Sequence, residues 1–393
     1  MRPGRRSNQF SVHNRVTVLR GGAEFFNELE KIIDEAEHSV QLQTYIYDTD
    51  ETGTRITNAL IRAAQRGVLV YMLIDGYASK NITNDIIEKL KKEGVHFSFF
   101  EPLLKSRFFY FGRRLHQKVI VADGKTCMVS GANISNRYND IGDISAWLDW
   151  AVRVDGETAM EMHNFCIRIW NRSVLRKKCR IKPVNEAIDP PAEECLVRIR
   201  RNDWVFKRTE ITATYREIFN TAESQVTLMT SYFWPQRRLL KRMAVAARRG
   251  VRVRLILTGR ADVPFAKYTE RYLYPWLFRH GIEVYEYQKN ILHGKIATCD
   301  GKWLTVGSYN VNHISAFASV ELNLDIKNAG VTAIVDKRFD QIMCDDCQCI
   351  TPDSFKASSN TLRLFFYFLS YRIVHSLFFL FTFYFVQRKR RDQ

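Results

Sequence analysis

Met1 to Arg20 contains no apolar run. A secretory leader carries an apolar core of about 7–15 residues. This stretch is basic and polar, so no signal peptide is expected. A disulfide framework is missing too. The eight cysteines (Cys127, Cys166, Cys179, Cys195, Cys299, Cys344, Cys347 and Cys349) are mostly scattered along 393 residues. That excludes a small secreted disulfide scaffold and leaves reduced thiols as the expectation. Cys344, Cys347 and Cys349 cluster, but three thiols fall short of the four ligands of a structural zinc. The C-terminal tail is apolar yet short: its uncharged core, Ile373 to Val386, has 14 residues, below the roughly 20 of a spanning helix. Acidic residues are the other deficit. Forty-two Asp and Glu against 59 Lys and Arg leave a net charge of +17. Such a field attracts nucleic acid, anionic lipid surfaces or phosphorylated substrates.

What is present suits a folded protein. A chain with 46% hydrophobic and 26% charged residues can bury real cores, which excludes a disordered polymer. Its length fits two α/β domains better than one. The order of elements repeats. Phe25, Phe26, Leu29, Ile32, Ile33 and Ala36 fall at helical spacing, and Val40 to Ile46 reads as a strand. Ile56, Ala59, Leu60, Ala63 and Ala64 mark a second helix closed by Gly67, and Val68 to Ile74 reads as a buried strand. Later, Ile211, Tyr215, Ile218, Phe219 and Ala222 mark a helix, and Val226 to Thr230 a strand. Leu239 to Arg249 reads as a helix closed by Gly250, and Val251 to Leu257 as a strand. Gly94 and Gly281 each end a further helix before a strand. Alternating strands and helices argue for α/β lobes, and the repeat for two similar ones. Between them, Ile181 to Cys195 holds Pro183, Pro190 and Pro191 with Glu186, Glu193 and Glu194, a composition that suits a linker.

The chemistry is duplicated as well. Leu115-His116-Gln-Lys118 runs into an apolar stretch and Asp123-Gly124. Leu292-His293-Gly-Lys295 does the same before Asp300-Gly301. A second strand then leads to Asn133 in one copy and to Ser308 and Asn310 in the other. His116 and His293, Lys118 and Lys295, Asp123 and Asp300, and Asn133 and Asn310 are all 177 positions apart. On a strand, a His and a Lys two apart share a face, and Asp-Gly after an apolar run reads as a hairpin turn. Four polar residue types repeated at one spacing are hard to assign to packing alone. One histidine can attack phosphorus while the other serves as general acid and base. Lysine ammonium and asparagine amide groups can stabilise charge on phosphate oxygens. Each copy supplies half the set, so the lobes are expected to face each other about a pseudo-twofold axis, and the set calls for no metal or other cofactor.

This duplicated pattern resembles the HxKxxxxD signature of the phospholipase D superfamily, over nearly all of residues 15–345. The resemblance implies an α/β fold of two similar lobes, each a mixed β-sheet flanked by helices. It implies catalytic residues His116, Lys118, Asp123, His293, Lys295 and Asp300, with a phosphohistidine intermediate. By analogy His116 is the nucleophile and His293 the acid/base, an order the residues alone leave open. Asp123 and Asp300 sit an odd number of positions from their histidines, in turns, and are expected to shape the hairpins and not to touch substrate. Asp149 and Glu321, on equivalent strands of the two copies, are the expected orienters of the imidazoles. Asn133, Asn310 and Ser308 are expected to hold phosphate.

Three features favour a lipid substrate. The tail from Leu362 to Val386 is rich in Phe and Leu, is interrupted by Arg363, Arg372 and His375, and is followed by Arg388 to Arg391. It reads as an interfacial or re-entrant anchor with a basic flank. Gly94 to His116 spans 22 positions against 12 between Gly281 and His293, and the insertion places aromatic residues among Arg107, Arg113 and Arg114, as suits a lip at a lipid interface. Tyr45 to Tyr47, Gly67 to Gly76 and Val152 to Gly156 resemble bacterial cardiolipin synthases of the compact type without N-terminal transmembrane helices. That implies phosphatidyl transfer between two phosphatidylglycerols, while the tail and its basic flank suit the cytoplasmic face of the bacterial membrane, with the protein peripheral or anchored by its C-terminus. Phosphatidylglycerol and other anionic phospholipids are the expected partners and nucleic acid is disfavoured. Phospholipid hydrolysis to phosphatidic acid is the alternative, a nuclease the more distant one. The expected segments are a first lobe (1–180), a linker (181–195), a second lobe (196–350) and a membrane-associating tail (351–393).

Overall fold

The computed structural model describes residues 9–102, 113–174, 179–183, 191–317 and 319–391, except the side chains of 317 and 378–391. Most of the aromatic insertion and the middle of the linker lie outside the described residues.

The first lobe contains β1 (Ser11–Arg20), α1 (Ala23–Asp34), β2 (Ser39–Thr44), α2 (Glu51–Gln65), β3 (Leu69–Asp75), α3 (Asn84–Lys92) and β4 (His96–Phe100). It continues with β5 (Arg114–Leu115), β6 (Lys118–Ala122), β7 (Thr126–Ser130), β8 (Trp150–Gly156) and α4 (Glu157–Ser173). The sheet order is β4-β3-β2-β6-β7-β8-β1. The first three strands run parallel through helical crossovers, and the rest join antiparallel. Gly67 and Gly94, at φ +90° and +89°, close their helices in the left-handed region, where glycine carries no Cβ penalty.

The second lobe repeats the plan with β9 (Glu194–Asp203), β10 (Arg208–Thr209), α5 (Glu210–Thr221), β11 (Gln225–Thr230), α6 (Arg237–Arg248) and β12 (Arg252–Thr258). Then come α7 (Pro264–Arg271), α8 (Tyr274–Arg279), β13 (Glu283–Tyr287), β14 (Lys295–Cys299), β15 (Trp303–Gly307), α9 (His313–Phe317) and β16 (Ser319–Lys327). The chain ends in α10 (Ala329–Asp345), β17 (Cys347–Ile350), α11 (Pro352–Ser358) and α12 (Thr361–Arg391). Its sheet runs β17-β13-β12-β11-β14-β15-β16-β9. The two mixed α/β lobes of the sequence reading are therefore present.

Each lobe buries its own layer of helices. A third cluster joins the lobes: Leu148, Trp150 and Val152 pack in one core with Leu292, Ile296, Val306 and Leu322. Burying each such side chain contributes about 1.5–3 kcal/mol, so the lobe contact is a core and not a loose hinge. Three pairings cross it. β1 meets β9, β5 lies parallel to β16, and Leu148 bridges to Leu292.

The tail is a helix, and its first turns belong to the second lobe. Phe355 and Tyr367 pack into that lobe's core. Tyr367 stacks near Tyr268 and Tyr371 near Tyr272, at 5.6 and 4.4 Å between ring centres. The opposite side of α12 exposes Phe365, Leu369, Ile373 and Leu377. Among the described residues no helix is long and apolar enough to cross a membrane.

Candidate active site

In each lobe the parallel strands stop beside an antiparallel one: β2 beside β6, and β11 beside β14. Open α/β sheets bind ligands at such switch points, beyond the carboxyl ends of their strands. Lys118 begins β6 and Lys295 begins β14, so both HxK segments lie on this rim. Two backbone contacts then carry each histidine across to the other lobe. His116 donates its N–H to the Val320 carbonyl at 3.0 Å, and His293 to the Leu148 carbonyl at 2.8 Å.

The next residue in each case is a carboxylate. His116 Nδ1 meets Glu321 Oε2 at 2.9 Å. His293 Nδ1 meets Asp149 Oδ2 at 2.6 Å. Each imidazole is thus paired with the acid of the opposite lobe, an exchange that equivalent positions in the two copies do not reveal. The pairing turns each Nε2 away from its carboxylate and stabilises an imidazolium when one forms. Gly131 makes room for Asp149: a Cβ there would lie 2.3 Å from its Oδ1.

The lysines are buried beside the rings. Lys118 donates to the His116 carbonyl at 2.6 Å. Lys295 donates to the His293 carbonyl and contacts Ser231 Oγ at 3.4 Å. Burial pushes Lys118 down to about 7, with Glu321 opposing and Lys295 adding to the shift. Burial pushes Lys295 down to about 8, against the pull of Asp149 and Glu321. Burial also lowers both histidines, His293 the more strongly, because Lys295, Lys118, His116 and Arg137 add to its shift. Asp149 is raised by burial to about 6. Side-chain exposure of 17% for His116 and 9% for His293 leaves both rings reachable.

The remaining sequence candidates divide. Asp123 accepts the backbone N–H groups of Glu37, His38 and Ser39, and Asp300 those of Glu223, Ser224 and Gln225. Both sit at the far ends of their strands from the histidines, at φ +55° and +53°, followed by Gly124 and Gly301 at φ +65°. Positive φ at both turn residues is the type I′ hairpin. Asn133 uses both ends of its amide: Oδ1 accepts from the Ile46 N–H and Nδ2 donates to the Tyr138 hydroxyl. Ser308 donates to Glu321 Oε2 and accepts from the Leu322 N–H. Asn310 differs, since its Oδ1 is buried with no hydrogen-bond partner.

Aromatic neighbours escaped the sequence reading. Tyr45 stands edge-on to His116 at 4.8 Å and faces the Lys118 ammonium at 5.2 Å. Tyr138 and Trp147 flank His293 at 5.0 and 6.1 Å. Tyr45 follows β2 directly, and a polar aromatic at the carboxyl end of a parallel strand was the available signal. Nothing local marks Tyr138 or Trp147. Among the described residues no cluster of His, Cys, Asp and Glu could hold a metal ion.

Two similar lobes, with paired histidines and lysines meeting across their contact, define the phospholipase D-like class. The family model for the cardiolipin synthase, phospholipase D-like domain matches residues 29–162 and 215–343. Cardiolipin synthase B of Salmonella typhimurium is 33% identical over 339 residues, 85% of this chain and 82% of that one. A probable cardiolipin synthase of Bacillus subtilis is 26% identical over 88% of this chain and 69% of that one. The crystal structure of a Haemophilus influenzae phosphatidylserine synthase superposes with a TM-score of 0.70 at 17% identity, over 88% of this chain and 90% of that one, and shows the same fold. The chain belongs to the cardiolipin synthase family of phospholipase D-like phosphatidyltransferases.

Proposed function

We propose that this enzyme makes cardiolipin from two phosphatidylglycerols through a phosphatidyl-histidine. The observation that carries the reading is the pair of histidines, each held through Nδ1 by a carboxylate of the opposite lobe. Both Nε2 atoms are thereby left for the reaction. His116, the more exposed ring, attacks phosphorus through Nε2. The bond to the leaving glycerol breaks, and His293 gives that oxygen its proton. A second phosphatidylglycerol then enters. His293 takes the proton of its glycerol hydroxyl, the oxygen attacks the phosphatidyl-histidine, and the P–N bond breaks to release cardiolipin and neutral His116.

Electrostatics supports this division. Burial keeps His116 in the neutral, nucleophilic form at neutral pH. Burial is the main cause of the depression of His293; the Lys295, Lys118 and Arg137 charges that add to it are ones a phosphodiester would neutralise, and the bond to Asp149 supports the imidazolium at the moment it is needed. Lys118 and Lys295, buried beside the two rings, hold the phosphate oxygens in this reading, and the Asn310 amide, whose Oδ1 is buried without a hydrogen-bond partner, joins them. Asn133 and Ser308 act through the groups they hold: Asn133 fixes Tyr138 beside His293, and Ser308 fixes Glu321. Asp123 and Asp300 act through the hairpins.

The surface of the tail fits the same reading. The exposed Phe and Leu side of α12, with a net charge of +17, suits a peripheral position on an anionic bilayer. The basic run from Arg388 to Arg391 suits the cytoplasmic face of that bilayer.

The test is mass spectrometry of lipids after purified protein meets phosphatidylglycerol vesicles in chelator, with His116→Ala as control. Cardiolipin from the intact protein alone supports the proposal. Phosphatidic acid would reassign the chain to hydrolysis. Digesting the quenched intermediate and finding the phosphatidyl group on His293 would reverse the roles of the two rings.

A further inference from the structure

We infer that a groove between α6, α8 and α12, sharing no lining residue with the histidine centre, binds one anionic phospholipid molecule. The groove encloses about 540 Å³, within the range of about 300–1,000 Å³ typical of ligand pockets. It has two kinds of wall. Leu364, Tyr367 and Tyr371 of α12 face Pro275 and Trp276 across an apolar floor, and Arg237, Lys241 and Arg279 stand around it. Arg237 and Lys241 lie one turn apart on α6 and are exposed, so their charges are neighbours. Among the described residues no carboxylate pairs with Arg237, Lys241 or Arg279. Arg271, also on the lining, is already engaged with both oxygens of Glu286.

The occupant follows from charge complementarity combined with the apolar floor. Three cations without a carboxylate partner, Arg279 donating only its Nε–H to the Pro275 carbonyl, call for a phosphate, since a guanidinium and an ammonium bind its oxygens as a fork and a point charge. A free phosphate ion would use the cations and leave the Trp276 and Leu364 wall without a partner. A phospholipid uses both. The groove also continues onto exposed apolar surface: Tyr272 lines it and lies 6.1 Å from Phe368 on the outer side of α12. That aromatic contact gives the acyl chains apolar surface to follow from the groove toward that face. A lipid bound here ties the tail helix to α6 and α8 and holds the enzyme on anionic membrane. The inference rests on membrane placement and not on the transfer reaction.

The test uses the full chain and two double variants with equal charge loss on one helix. Arg237→Gln with Lys241→Gln removes the groove cations. Arg238→Gln with Arg242→Gln removes two exposed neighbours outside the lining. Vesicle flotation is measured on phosphatidylcholine with and without phosphatidylglycerol, and native mass spectrometry counts lipids retained in detergent. Both variants are expected to lose the diffuse attraction of two surface charges, and the groove variant should bind the anionic vesicles more weakly still and lose its single retained phospholipid. The neighbour variant should keep that lipid. Equal losses in the two variants would mean diffuse surface charge and overturn the site, as would retention of phosphate ion without lipid. Failure to form cardiolipin with lipid retention intact would sink the catalytic proposal and leave this one standing.

Discussion

At the scale of single residues, the site depends on two carboxylates that reach the histidines from the opposite lobe. Glu321→Gln keeps the size of the side chain and removes its charge. The imidazolium of His116 then loses its stabiliser, and a wrong ring tautomer becomes accessible. We expect kcat to fall on the order of 10²–10⁴, as for loss of charge in comparable His–carboxylate pairs, with KM nearly unchanged. Glu321 raises the pKa of His116, so the acid limb of the pH–rate profile should move to lower pH in the variant. An unchanged acid limb would show that this limb belongs to another group. The lysines supply a second prediction. Their folded-state pKa values, about 7 for Lys118 and about 8 for Lys295, lie below the unfolded value of about 10.5. In the window between, the unfolded chain binds more protons, so stability rises with pH. This contribution is complete above the unfolded value and is lost as pH falls toward 7. The unfolding midpoint should therefore rise relative to Lys118→Met between about pH 7 and pH 9, measured by thermal melts of both proteins. A phosphate-like anion should narrow that difference at pH 7, because it holds the lysines in their charged form.

At the scale of elements, the two Asp-Gly hairpins are anchors. Asp300 ties the β14–β15 turn to the three N–H groups that open β11, and Asp123 does the same for β2. The motif's aspartates therefore hold the strand that carries His and Lys against its neighbour, at the end remote from the chemistry. Asp300→Ala removes the anchor and places alanine at positive φ. Loss of about 2 kcal/mol of stability is expected, with kcat per folded molecule close to that of the intact protein at low temperature. A loss of kcat without a change in denaturation midpoint would instead place Asp300 in the reaction. The tail helix is a second case at this scale. Because Tyr367 and Phe355 are core residues of the second lobe, cutting the chain after Asn360 uncovers that core. Cutting after Leu377 leaves it covered. The shorter chain should unfold several degrees lower, and the longer one should keep its midpoint while binding anionic vesicles more weakly. Equal midpoints would mean that Tyr367 contributes little to the lobe.

At the scale of the whole molecule, the lobes cannot be considered apart. Trp150 of the first lobe donates its indole N–H to the Met229 sulfur of the second at 3.2 Å, in the middle of the shared core. Neither lobe holds a histidine together with its own carboxylate. Residues 1–183 and 191–393 expressed separately should each be inactive. Any activity should return only on co-expression, read as cardiolipin in extracts. Turnover by one half alone would contradict the cross-lobe pairing. The same arrangement makes a closed, low-dielectric site: the shared core excludes water from behind the rings, and that burial depresses both lysines.

Sequence alone determined the α/β lobes, their repeat and the residue types that the fold gathers at the candidate site. Hydrophobic periodicity and helix-closing glycines are local, and an identical spacing in two copies of His, Lys, Asp and Asn needs no coordinates to be read. The demotion of Asp123 and Asp300 was legible for the same reason, since parity along a strand and an Asp-Gly turn are local facts. Tertiary structure decided the rest. Which carboxylate serves which histidine depends on how β5 lies along β16 and how Leu148 bridges to Leu292, contacts between residues far apart in the chain. The occupied amide of Asn133, the bond from Ser308 to Glu321 and the rings around His293 depend on the same long-range packing. So does the tail, whose composition announced an apolar helix but whose two sides were told apart only when Tyr367 met Tyr268 of α7 and Tyr371 met Tyr272 just beyond it. Periodicity shows that a face is apolar, and only the fold shows which part of it protein covers.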